Sequence, residues 1–210
     1  MIAELVGELE PLKHPGRFGH WVILWLGLSW VYTLSIVSAT GPWRPDAFLQ
    51  LTQSPQFFTE TLLGLSAGIV LVYAAFSSAI PNPENPLRRA LLPICVAVIW
   101  ATSYGVGIWH PAIDPSMLGK REVCWWSTLM YSVPPLFFGL YLLRRFLVLN
   151  PRISGALLGL ASGALPGLAM QFACMYEPIH ALSHHLAPAL GIAALGALCA
   201  PWVLGQKLKS

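Results

Sequence analysis

Apolar positions run in six long blocks, around residues 21–39, 60–80, 89–109, 125–143, 154–174 and 186–205, separated by short stretches where proline, charged and small polar residues gather. Each block has about the 20 residues that an α-helix needs to cross a hydrocarbon core ~30 Å thick. A segment in lipid must satisfy its own backbone hydrogen bonds, which makes helices the default. The alternating ten-residue pattern of an outer-membrane barrel is not visible. The pattern therefore predicts an all-α, polytopic transmembrane six-helix bundle over residues 21–205. Residues 1–20 precede it as a cytoplasmic segment, and residues 206–210 follow as a cytoplasmic tail.

Inside the blocks, small residues recur at helical spacing. The fifth reads Gly155, Gly159, Gly163, Gly167, one glycine every four residues, and the second carries a shorter version in Gly64 and Gly68. Such a stripe lets a second backbone come close, most simply within one protomer, with a homo-oligomer contact as the alternative. Pro93, Pro134, Pro135 and Pro166 fall inside blocks and should kink them locally.

Composition sharpens the picture. Hydrophobic residues fill 56% of the 210 positions and charged residues only 10%, against roughly 25% charged in soluble domains, so the solvent has to be a lipid bilayer. The net charge of +3 does not form a basic face, which argues against direct nucleic-acid binding. It reports topology instead. With six spans, nine of the twelve basic residues (Lys13, Arg17, Arg88, Arg89, Arg144, Arg145, Arg152, Lys207 and Lys209) fall on the side of the termini, leaving Arg44, Lys120 and Arg121 on the other. The positive-inside bias makes both termini cytoplasmic. Trp21, Trp43, Trp109, Trp125, Trp126 and Trp202 sit near span ends, the level that indole prefers. The first span follows three Glu and lacks a small-residue cleavage site, so it does not read as a removable leader.

Residues 1–10 place Ile2, Leu5, Val6 and Leu9 on one helical stripe with Glu4, Glu8 and Glu10 off it, and Pro11 ends the pattern. An acidic amphipathic helix is repelled by an anionic leaflet and suits a protein groove better. The alternative is a frayed extension of the first span.

The remaining chemistry gathers on the outer side. Cys95 and Cys199 lie within spans and read as small hydrophobes. Cys124 precedes the fourth span and Cys174 ends the fifth, in a compartment where disulfides form. His110, His180, His184 and His185 share that side, and the four-residue step from His180 to His184 puts two imidazoles on one α-helical face. Cys124, Cys174, His180 and His184 would suit Zn²⁺ or another soft metal ion. A disulfide and free thiols remain equally open readings, with Glu122 and Glu177 as supporting acceptors. A channel or pump is disfavoured, because the spans carry no ionisable group beyond Glu60 at an end. Catalysis is disfavoured too: no phosphate loop and no paired carboxylates are present. A membrane thiol oxidoreductase fits the thiols but lacks the C-x-x-C pair usual in such enzymes.

The opening IAELVGELEPLK, the run VCWWSTLMYSVPPLFFGLYLLRR around Cys124, the run SGALLGLASGALPGLAMQFAC ending at Cys174 and the closing HHLAPALGIAALGALCAPWVLG resemble the negative regulator of sigma F family, six-span membrane anti-sigma factors of bacteria. The resemblance covers nearly the whole chain. It implies a non-enzymatic inner-membrane protein that sequesters an extracytoplasmic-function sigma factor at its cytoplasmic face and releases it under stress. It also implies that Cys124 and Cys174 are the sensing pair for metal or oxidant, and that Ile2, Leu5, Val6 and Leu9 contact the sigma factor. The alternatives are a metal-binding membrane protein and the thiol oxidoreductase.

Overall fold

A computed structural model describes residues 18–80 and 86–204; the N-terminal stripe Ile2, Leu5, Val6 and Leu9, and the tail 206–210, lie outside them. The described residues are helical with no strand. The helices are α1 (Phe18–Ala39), α2 (Ala47–Gln53), α3 (Pro55–Ser77), α4 (Pro86–Gly107), α5 (Cys124–Leu143), α6 (Pro151–Ala173) and α7 (Pro178–Leu204). Six of these are long and coincide with the six apolar blocks. Five, all but α5, are long and apolar enough to cross a membrane. In α5, two prolines, two tyrosines and paired tryptophans dilute an otherwise apolar 20-residue helix.

The ends differ from the blocks by a few residues for local reasons. The Ser54 side chain accepts from the Phe57 amide and Pro55 occupies the first turn, so α3 starts at 55 and not at 60. Glu177 caps the His180 amide and Pro178 follows it, which carries α7 back to 178. Residues Ala181–Leu186 of α7 wind as a π-helix, a widening often found at functional sites. The short α2 in the first connection was not foreseen from the hydrophobic pattern.

The outer surface is apolar, unlike that of a soluble protein, and the core is apolar too but takes in small hydroxyls. Ile23, Val31, Leu91, Leu92, Leu190 and Leu198 point outward, as does Trp202 near a helix end. Ser29, Thr33, Thr61, Ser132 and Ser154 are buried. A surface of this kind is stable where the surrounding medium is itself apolar. Cys95 belongs to that outward face of α4, whereas its place in a span suggested a buried thiol.

Helix α6 is the hub, with nearly every residue from Ser154 to Ala173 buried. Its glycine stripe packs within the protomer. A Cβ on Gly159 or Gly163 would run into the backbone of α7 at Ala193 or Ala189, 2.6 and 2.5 Å away, and Gly155 meets Gly196 in the same seam. Gly64 of α3 leaves room for the Trp100 ring and Leu168. Across the bundle the Trp25 indole donates to the Pro135 carbonyl at 2.9 Å, tying α1 to α5 where its prolines interrupt the hydrogen-bond ladder.

The six long helices alternate in direction, so the connections 40–54, 108–123 and 174–177 meet at one end of the bundle. That end is closed by cross-connection contacts: Ser54 to the Ala112 carbonyl at 2.7 Å, Gln56 to the His110 carbonyl at 2.9 Å, and the Ser116 amide to the Tyr176 carbonyl at 3.2 Å. Gly119 has φ +79° and a Cβ there would stand 3.1 Å from the Arg44 Cβ, a position that favours glycine both for conformation and for space. The opposite end carries Arg88, Arg89, Arg144, Arg145 and Arg152, with Arg145 over the Trp21 ring at 4.6 Å.

Candidate thiol and metal site

The two thiols at the cross-connected end come from different helix termini. Cys124 is the first residue of α5, and Cys174 is the C-cap of α6, its amide bonded to the Met170 carbonyl. Their sulfurs lie 2.7 Å apart across a chain separation of 50 residues. Both are free thiols and both are buried, at 1% and 0% exposure.

Each is held by an arginine that organises backbone around it. Arg121 donates to the carbonyls of Val37, Gly41 and Pro42 at 2.9 to 3.2 Å, clamping the end of α1 beside Cys124. Its own carbonyl oxygen lies 3.2 Å from the Cys124 sulfur, an alternative to Cys174 as acceptor for the single thiol proton. Arg44 works on the other helix: its amide donates to the Phe172 carbonyl and its guanidinium to the Gln171 carbonyl at 3.4 Å. A cation at the C-terminus of α6 complements the helix dipole and its unpaired carbonyls. The guanidinium also lies over the rings of Phe57 and Tyr176, 5.7 and 5.9 Å from their centroids. Burial lowers the Arg44 pKa, with Tyr176 and Cys174 opposing the shift.

Histidines complete the surroundings. His180 Nε2 stands 3.4 Å from Cys174 Sγ. The ligand atoms of Cys124, Cys174, His180 and His185 all fall within 4.8 Å of one another, and all four residues are buried. The Cys174 pKa is lowered. The hydrogen bond from Cys124 is the main cause, helped by His180 and His185, and burial opposes it.

The geometry differs from the α-helical expectation in one ligand. His184 stacks on His180 at 4.2 Å between centroids, but it leans toward Ser183, bonded through Nδ1 at 2.7 Å, and stands outside the group of four. His185 occupies the position expected of His184. A four-residue step aligns imidazoles on an α-helix; the π-helical turn from Ala181 to Leu186 adds a residue and brings in the fifth. Glu177 is used up as the cap of His180, at 2.7 Å from its amide. Glu122 and His110 are exposed.

A buried carboxyl beside the site was not singled out by sequence spacing. Glu60 is fully buried and accepts from the Tyr176 hydroxyl at 3.0 and 3.2 Å and from Gln56 at 3.3 Å. The Tyr176 hydroxyl in turn accepts from the Ala112 amide at 3.3 Å. Burial, reinforced by the Glu60 charge, raises the Tyr176 pKa, so the phenol stays protonated and donates. Tyr176 is two residues from Cys174 and pins that short connection to α3. A hydrophobic pattern registers only that Glu60 stands at a span end; its partner lies 116 residues away.

The family model described as negative regulator of sigma F matches residues 5–205. Neither a curated protein nor a solved structure matches the chain.

Proposed function

The chain belongs to the negative regulator of sigma F family, and from that membership we propose that it holds an extracytoplasmic-function sigma factor at the cytoplasmic face of a bacterial inner membrane. It releases the factor when Cys124 and Cys174 change state. The family name implies negative regulation of a sigma factor; the membrane side and the signal are our reading. The observation that carries the sensing part is the 2.7 Å approach of two buried thiols from separate helices. Two thiols so placed become a disulfide without large movement when a hydroperoxide takes two electrons and the two protons leave in water. They would also capture a soft metal ion.

Five helices fit a bilayer, and the basic residues at the end opposite the thiols support a cytoplasmic position for that end through the positive-inside bias. Helix α6 links the ends, running from Cys174 back to Pro151 beside Arg144, Arg145 and Arg152. A change at the thiols acts on a partner only if it stabilises one of two bundle arrangements over the other, and about 5.5 kcal/mol separates 1:99 from 99:1. Residues Ile2, Leu5, Val6 and Leu9 supply the apolar contact with the sigma factor.

The test is a pull-down of the intact protein in mild detergent, with and without residues 1–20, read by mass spectrometry. A sigma factor held by the full chain, lost on Leu5→Asp and retained by Cys124→Ser, is the expected result. A membrane fraction that holds no sigma factor with either version overturns the proposal.

A further inference from the structure

We propose that Cys124, Cys174, His180 and His185 form a tetrahedral binding site for one divalent d¹⁰ cation, zinc or cadmium, with His185 and not His184 as the second imidazole ligand. The inference deepens the thiol site described above and names its ligand. It does not depend on the identity of the protein partner.

Three observations converge on it. First, two sulfurs and two imidazole nitrogens lie within 4.8 Å of one another. In a tetrahedral zinc centre, bonds of ~2.3 Å to sulfur and ~2.0 Å to nitrogen set ligand atoms about 3.3 to 3.8 Å apart. The set needs adjustments of about 1 Å to reach that geometry, including a spreading of the sulfurs. Second, His185 is 1% exposed and neither ring nitrogen has a hydrogen-bond partner. A buried polar group without a partner costs stability, and a metal bond at one nitrogen would remove that cost. Gln171 stands one helical turn before Cys174, and both atoms of its buried amide are likewise unpartnered. Third, the charge balances. A divalent ion with two thiolates and two neutral imidazoles has no net charge, the form that burial tolerates best. Binding would release the thiol protons to solvent.

The fold supplies the approach that the fourth ligand needs. A Cβ at Gly167 would stand 2.6 Å from the His185 carbonyl oxygen, so glycine there lets the π-helical turn of α7 settle against α6. His180 is fixed independently, by the Glu177 carboxylate on its amide and by the rings of His184 and His185 against its own. Glu177 holds the His180 amide and His184 is bonded to Ser183, and it is His185 whose nitrogen lies within range of the other three ligand atoms.

The experiment uses the full chain, purified in mild detergent, reduced, stripped of metal and titrated with Zn²⁺ or Cd²⁺. One ion per chain is expected, with zinc absorption spectra fitted by two sulfurs at ~2.3 Å and two nitrogens at ~2.0 Å. His185→Ala should weaken binding at least tenfold and remove one nitrogen scatterer, whereas His184→Ala, which removes only a ring stacked on His180, should keep the shell of two sulfurs and two nitrogens. Substoichiometric binding by the native chain, or a shell of nitrogen and oxygen only, overturns the proposal. So does native affinity in His185→Ala. The spectrum of the native chain needs no substitution, so it decides the matter even where a variant fails to fold. A chain that binds zinc in this way but retains no sigma factor would support the metal site while refuting the partner.

Discussion

Replacing Gly159 by alanine tests whether the α6–α7 seam holds the bundle together. The added Cβ would stand 2.6 Å from the Ala193 Cα and against the Ile192 carbonyl oxygen. Carbon atoms rest at ~3.5 to 4 Å, and both obstacles are backbone, so neither can swing aside. The helices must part by about 1 Å at this point. Gly155, Gly163 and Gly167 make similar contacts with the same helix, so the parting spreads along the seam and loosens packing beyond the mutated turn. Overpacking costs about 1–3 kcal/mol, and alanine in a helix returns about 0.5–1 kcal/mol relative to glycine. The net expectation is a loss of about 1 kcal/mol, and at most about 2.5 kcal/mol. Gly27 is the control, because nothing lies within 4 Å of a Cβ there; Gly27→Ala should be neutral or gain up to about 1 kcal/mol. Reversible unfolding in mixed micelles, followed by tryptophan fluorescence, measures both. Equal stability of the two variants would refute the reasoning.

Two further outcomes follow from the buried polar contacts. Tyr176→Phe removes the hydroxyl that serves Glu60 and should cost about 1–3 kcal/mol; combining it with Glu60→Gln should cost clearly less than the sum, and simple additivity in the same unfolding assay would show that the pair does not interact. Trp25→Phe removes the indole donor to the Pro135 carbonyl and should lower stability by about 0.5–1.5 kcal/mol, the net worth of one hydrogen bond, whereas an unchanged melting curve would mean that the α1–α5 tie contributes nothing.

The chain by itself determined where the long helices lie, because 20-residue apolar blocks broken by proline and charge have one solution in lipid, and Ser54, Pro55 and Pro151 mark starts that a cap or a first-turn proline explains. The glycine stripe announced a close backbone approach, since spacing of four fixes the face, but only the packed bundle shows α7 as its neighbour. The sequence likewise put Cys124, Cys174 and His180 at one end of the molecule. Their convergence is a tertiary matter, as two helix termini 50 residues apart must be brought to one point by Arg44 and Arg121. The choice of His185 over His184 rests on a π-helical turn, and the side-chain pattern of an α-helix carries no signal of it. Glu60 and Tyr176 show the same limit. Along the chain Glu60 reads only as an ionisable group at a span end and Tyr176 carries no signal, and their meeting depends on how α3 faces the connection after α6, which periodicity does not encode.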